Sequence, residues 1–279
     1  MRATALRCRI LSVGGARCIW CGATDPDPVS EHVFPAALGC PDDFCLTGGE
    51  VCTTCNHGLA HLDQSVIDDL DVMAFVRGVH RRGGKPPQFT NRRNVRGEVK
   101  DGEPILYINA ESHSVNLGDG RTLPGYRGSG RDVQVSFTVD RSSGTARVSL
   151  STSIGTSPTF VRGLHKIAFE CLAFHRGHEA CLSQRYDEVR RFVRAKRRGH
   201  RSLHRRVLML AGSDEPFRFQ SWLPVGPEGG LPEVVPFRLG GPEFVVDLSP
   251  GQIHLPRLVA ECERQLGDRT WWLLPLPRR

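Results

Sequence analysis

Two Cys-x-x-Cys pairs, Cys18-Ile19-Trp20-Cys21 and Cys52-Thr53-Thr54-Cys55, most constrain what this chain can fold into. Four soft thiolates in two close pairs suit one tetrahedral zinc. A short zinc ribbon separates its pairs by roughly 15–20 residues, whereas Cys21 and Cys52 lie 31 positions apart. The longer insert has room to house something else. It contains Ser30-Glu31-His32-Val33-Phe34-Pro35, and the second pair runs directly into Asn56. Glu31, His32 and Asn56 are harder ligands or bases, and a zinc on Cys18, Cys21, Cys52 and Cys55 would hold them near one another. The pattern reads as a structural metal that supports a separate reactive site. Cys40 and Cys45 are rival ligands, but a gap of that length is less usual than Cys-x-x-Cys.

The ten cysteines need this explanation because the rest of the chain reads as intracellular and cytoplasmic. No apolar run approaches the ~20 residues that span a bilayer. The N-terminus, Met1-Arg2-Ala3-Thr4-Ala5-Leu6-Arg7, lacks the sustained apolar stretch of a signal peptide. Disulfides are rare in reducing compartments. Cys8, Cys40, Cys45, Cys171, Cys181 and Cys262 are scattered, and Cys171 and Cys262 read as small core residues on helices. With 39% hydrophobic and 24% charged residues, the chain is globular and long enough for a well-buried core.

Composition divides it into residues 1–84, cysteine-rich; 85–157, rich in Gly, Asn, Arg and Ser and β-forming; and 158–279, a basic α+β region. The net charge is +7, unevenly spread: residues 1–84 carry 7 Lys/Arg against 10 Asp/Glu, and residues 85–279 carry 30 against 20. A polyanionic substrate would therefore be attracted mostly by the later residues.

Apolar spacing predicts a helix from Leu62 to about Arg82, with Asp68, Asp69 and Asp71 on its solvated face. Pro104 to Ile108 predicts a strand. Val133, Val135, Phe137 and Val139 alternate before a turn into Ala146, Val148 and Leu150, which predicts a hairpin. Gly118 to Arg131 reads as a loop. Ser157-Pro158 opens a helix that Gly177 stops, with His165 and Lys166 on a polar face. Tyr186 to Arg198 predicts another helix. Strands follow at Val207–Leu210, Phe217–Leu223, Val234–Leu239 and Phe244–Leu248, then a short helix near Pro256 and a closing strand at Trp271–Leu274. Arg190, Arg191, Arg194, Lys196, Arg197, Arg198, Arg201, Arg205 and Arg206 form a dense basic run, a candidate nucleic-acid contact or a solvated face.

Taken together, Cys18-x-x-Cys21-Gly22, Glu31-His32-Val33-x-Pro35-x-x-Leu38-Gly39 and Val51-Cys52-x-x-Cys55-Asn56 resemble the HNH endonucleases, also called His-Me finger or ββα-metal nucleases. The likeness is to the subgroup braced by a four-cysteine zinc, which includes a phage Holliday-junction resolvase and bacterial restriction and defence proteins. It covers residues 15–70 and nothing after residue 85. The resemblance implies an α+β fold: an N-terminal zinc-braced ββα-metal module followed by a mixed α/β C-terminal region. It implies hydrolysis of DNA phosphodiester bonds to 5′ phosphate and 3′ hydroxyl ends. His32 is then similar to the general base, and Glu31 and Asn56 to the ligands of one Mg²⁺ or Mn²⁺. His61 and Asp63 are further candidate ligands or phosphate contacts, against helix-start capping or plain surface.

The chemistry agrees. A carboxylate and an amide oxygen are hard donors, and histidine titrates near neutrality. One departure is that the family's middle asparagine, which helps orient the histidine, has no counterpart between His32 and Asn56. The expected partner is DNA, with RNA left open, together with no membrane and either a homodimer or a defence-system partner. The alternatives are a zinc-dependent nucleic-acid-binding protein without catalysis, and an adaptor whose zinc module binds protein.

Overall fold

A computed structural model describes residues 17–23, 30–90, 95–108, 115–116, 122–123, 133–140, 145–152, 154–195, 204–212, 218–222, 233–266 and 270–276. The fold is mixed α/β, and every strand pair is antiparallel among the described residues. In chain order, β1 (Glu31–His32) pairs with β2 (Cys45–Leu46), and α1 (Thr53–Val76) follows. β3 (Gln88–Thr90), β4 (Val95–Lys100) and β5 (Glu103–Ile108) make a three-stranded sheet. β6 (Val115–Asn116) pairs with β7 (Thr122–Leu123), and β8 (Val133–Asp140) with β9 (Thr145–Thr152). Then come α2 (Pro158–Arg176), the one-turn α3 (His178–Cys181) and α4 (Asp187–Arg194). β10 (Val207–Leu210), β11 (Arg218–Ser221), β12 (Val234–Gly240), β13 (Glu243–Asp247) and β14 (Trp271–Leu274) form a sheet ordered β11-β12-β13-β10-β14, with α5 (Leu255–Gln265) between β13 and β14.

Two compact units result, Met1–Asp68 with Gly155–Arg279, and Asp69–Ile154. The boundaries differ from those composition suggests at residues 84 and 157. The cysteine-rich segment and the C-terminal region fold as one unit because their apolar side chains share a core. Trp20 packs on Phe169 of α2 with ring centroids 5.0 Å apart, and Phe34 packs on Phe237 of β12 at 5.9 Å. α2 lies at the centre, with thirteen buried residues around its circumference. Ser157 caps it by accepting from Thr159 N at 3.2 Å, Pro158 opens it, and Gly177 closes it. At Gly163 α2 meets α1 closely: a Cβ there would lie 2.6 Å from Val66 Cγ2 and 3.0 Å from the Leu62 carbonyl oxygen.

In the other unit, β8 and β9 form the expected hairpin, with Val135 opposite Leu150, Phe137 opposite Val148 and Val139 opposite Ala146. β5 falls on the strand expected at Pro104 to Ile108.

Several expectations need correction. α1 begins at Thr53, well before Leu62, and ends at Val76, short of Arg82; Gly78 beyond it has φ +66°. Asp69 is buried rather than solvated. His165 and Lys166 are buried as well, at 0% and 1% exposure. α4 ends at Arg194, short of the Arg198 expected, with Ala195 already non-helical, and β7 falls within the loop expected at 118–131, most of which lies outside the described residues. No helix among the described residues is long and apolar enough to cross a membrane.

Candidate functional site

Cys18, Cys21, Cys52 and Cys55 present sulfur atoms that all lie within 4.8 Å of one another. Cys21 Sγ and Cys52 Sγ are 3.6 Å apart. Four sulfurs around a zinc at ~2.3 Å would sit about 3.8 Å apart, so the cluster is compatible with one structural zinc. The Cys52 N–H donates to Cys18 Sγ at 3.4 Å, a bond that favours thiolate. The hydrogen bond from Cys55, with backbone N–H groups, pulls the Cys18 thiol down to about 4. Cys40 and Cys45 stand outside this group. Three of the four ligands are buried, and Cys21 is exposed.

The cage places two further groups. Cys55 and Asn56 are adjacent on the first turn of α1, so the last sulfur ligand fixes the amide beside it. Asn56 Nδ2 donates to Glu31 Oε2 at 2.5 Å, joining α1 to β1. A metal held by both residues would take the amide oxygen instead, which needs the Asn56 side chain turned over. The Cys18–Cys21 segment also reaches α2, where the indole N–H of Trp20 donates to Glu170 Oε1 at 3.3 Å.

Lys166 closes the arrangement. Its ammonium lies 2.6 Å from Glu31 Oε1, 3.0 Å from Asp63 Oδ1 and 3.0 Å from Glu170 Oε2. The side chains of Glu31 and Glu170 are 8% and 0% exposed, and that of Asp63 is 25%. Burial alone would discharge the lysine, but Asp63, Glu170 and Glu31 together outweigh it and hold the ammonium well above the usual range. Burial drives Glu170 well above the carboxylate range despite Lys166, and raises Asp63 likewise. Fully ionised, three carboxylates against one ammonium leave two negative charges, which protons or one divalent cation can balance. Lys166 escapes a sequence reading because its partner Glu31 is 135 positions away.

His32 faces a different neighbour. It stands opposite Cys45 in the β1–β2 pair, and its Nδ1 lies 3.1 Å from Cys45 Sγ. Successive strand residues point to opposite faces, so Glu31 goes to α1 and α2 while His32 meets β2. A sulfur thus contacts the imidazole in a segment that lacks an asparagine for the purpose.

His61 is exposed and meets the Gly58 carbonyl oxygen one turn back, 3.1 Å from its Nδ1. In the basic run, Lys196, Arg197, Arg198 and Arg201 lie outside the described residues. Arg205 is no surface contact: it is 3% exposed, pairs with Glu188 at 2.6 Å and donates to the carbonyl oxygens of Asp247 and Ser249. Arg191, Arg194 and Arg206 are exposed, and Arg190 is half-buried.

No protein-family model, no curated protein and no solved structure matches the chain.

Proposed function

We propose that the chain is a metal-dependent endonuclease of HNH type that hydrolyses DNA phosphodiester bonds, braced by a structural zinc. The observation that carries this reading is the contact of Glu31 with Asn56 beside the four-cysteine cage, in an element order of strand, strand and helix. The excess of carboxylates around Lys166 adds to it, since a divalent cation would relieve their charge.

Glu31 and Asn56 would hold Mg²⁺ or Mn²⁺, with Asp63 nearby on the same cluster. Such a cation, when bound, supplies polarisation of the scissile phosphate and stabilises charge on the leaving oxygen. His32 accepts the proton of the attacking water. With Nδ1 turned to Cys45, that role falls to Nε2. Water oxygen bonds to phosphorus, the bond from phosphorus to the 3′ oxygen breaks, and solvent returns a proton to that oxygen.

The test is plasmid nicking with Mg²⁺ or Mn²⁺ beside a His32→Ala variant. Nicking that depends on the cation and disappears with His32 supports the proposal. A second reading has its own observation, because the Lys166 ammonium already engages Glu31 as an internal cation would. On that reading the chain is a zinc-dependent nucleic-acid-binding protein without catalysis. Plasmid that stays intact yet shifts on a gel would select it.

A further inference from the structure

The Cys18–Gly22 knuckle forms one wall of a groove of about 1150 Å³, and α4 with the turn that leads into it, Leu182 and Gln184, forms the other. Four arginines line it: Arg17 beside the knuckle, and Arg190, Arg191 and Arg194 on α4. Among the described residues Asp187 is the one acidic side chain in the lining, and it is bonded to Arg190 at 2.6 Å. We infer that this groove is a phosphate-backbone site that holds a nucleic-acid strand.

The arginines are anchored in a way that presents their forks. Arg17 Nε donates to the Gly22 carbonyl oxygen at 3.4 Å, and Arg191 Nε to that of Asp187 at 3.4 Å. Both bonds use Nε, so the two terminal amino groups of each guanidinium are what a phosphate would meet. Arg194 Nη1 donates to the Trp20 carbonyl oxygen at 3.1 Å and ties the two walls together. Arg190 Nη1 and Nη2 hold the carbonyl oxygens of Cys181 and Ser183, which makes it the least available of the four.

The zinc bears on the charge balance, since Cys18 and Cys21 also line the groove. Zinc on four thiolates carries two net negative charges. Four guanidiniums less one carboxylate exceed that, so the lining stays positive when the cage is loaded. A groove of this volume is larger than most small-ligand pockets, which run ~300–1000 Å³. Positive side chains on both walls suit a chain of phosphates better than one compact anion. The groove is also linked to the candidate site. Trp20 accepts from Arg194 through its carbonyl and donates through its indole to Glu170, which bonds the Lys166 that holds Glu31.

The inference rests on the proposed nucleic-acid substrate but not on cutting, so binding is measured without Mg²⁺. The probe is a short fluorescein-labelled single-stranded DNA, read by anisotropy across a salt series with the zinc-loaded full chain. Arg17→Gln and Arg191→Gln remove exposed groups whose loss should not affect folding, and Arg257→Gln on α5 is the control. Each groove variant should weaken binding severalfold and reduce the salt slope by about 0.7, and the double variant by about twice that. Arg257→Gln should match the parent. The inference is overturned if the groove variants bind with the parent's slope. It is equally overturned if they lose zinc in parallel with binding, because the arginines would then serve to neutralise the thiolates. Displacement of the DNA by an acidic peptide with the same salt slope would make this a protein-docking groove and refute the inference. Failure of plasmid nicking alone would refute catalysis and leave this groove standing.

Discussion

Replacing Lys166 with methionine keeps most of the unbranched side chain, one heavy atom shorter, and removes the charge that three carboxylates share. Glu31 and Glu170 are almost wholly buried, whereas Asp63, a quarter exposed, can resolvate more readily. Removing one partner of a buried ion pair costs ~3–5 kcal/mol. Glu170 is already pushed toward protonation by burial, which moves the expected loss toward the lower end of that range. At ~2–4 °C per kcal/mol, the melting temperature should fall by roughly 6–20 °C. Glu170→Gln removes one ionisable member of the cluster and forfeits one acceptor, toward either Trp20 or Lys166. Its cost should be ~1 kcal/mol. The double variant should then be less damaged than the sum of the two, by ~1–3 kcal/mol. Thermal melts of the zinc-loaded proteins followed by circular dichroism measure all three. If Lys166→Met melts within a degree or two of the parent, or if the two losses simply add, the ammonium is not the counter-ion of this cluster.

His165 is fully buried, and burial lowers its imidazole to about 3. The unfolded chain takes up a proton near the ordinary histidine value that the folded chain refuses. This stability is therefore present above ~6.5 and is lost as pH falls toward about 3, by up to ~4–5 kcal/mol. A His165→Gln variant should show a flatter acid limb in pH-dependent melts, and an unchanged limb would refute the assignment. Cys52→Ser should release the zinc and cost roughly 4 kcal/mol or more, while Cys40→Ser should retain one zinc by elemental analysis. Cys45→Ala should lower the nicking turnover about tenfold or more at saturating DNA, and Cys45→Ser should restore most of it. Equal rates for alanine and parent would remove Cys45 from the positioning of His32.

α2 was legible because its signals are local: a serine cap, a proline at the first turn, an apolar repeat and a closing glycine. The cysteine cage was legible because its ligands come as two close pairs. The β1–β2 pair was not, since two-residue strands leave no alternation to read. The start of α1 was missed because Thr53 to Gly58 carries no apolar repeat from which a helix could be read. His165 and Lys166 were read as a polar face of α2, and the sequence did not show that this face is buried. His165, Lys166 and Glu170 do lie off the apolar repeat, but the neighbouring surfaces of α1 and β1 offer carboxylates, and periodicity does not report what an adjacent element carries. Arg205 was misplaced for the same reason, because Glu188 and two carbonyl oxygens draw it inward.

A cluster of ionisable groups is a poor way to stabilise a core. Well-packed apolar residues of similar volume usually do as well or better, by up to ~1–4 kcal/mol. Lys166, Glu170 and Glu31 nevertheless lie where the Cys18–Cys21 segment, the first turn of α1 and the middle of α2 converge. If stability were their purpose, replacing them together should damage the protein more than Lys166→Met alone. If their purpose is to hold Glu31 against Asn56, the variant with Lys166→Met, Glu170→Leu and Glu31→Gln should melt at or above the temperature of Lys166→Met. It should also retain its zinc, bind DNA in the absence of Mg²⁺ with the parent's salt slope, and fail to nick plasmid. Melting below the single variant would assign the cluster to the fold and detach it from the cutting site. Nicking at the parent's rate would leave Glu31 without a role in the reaction.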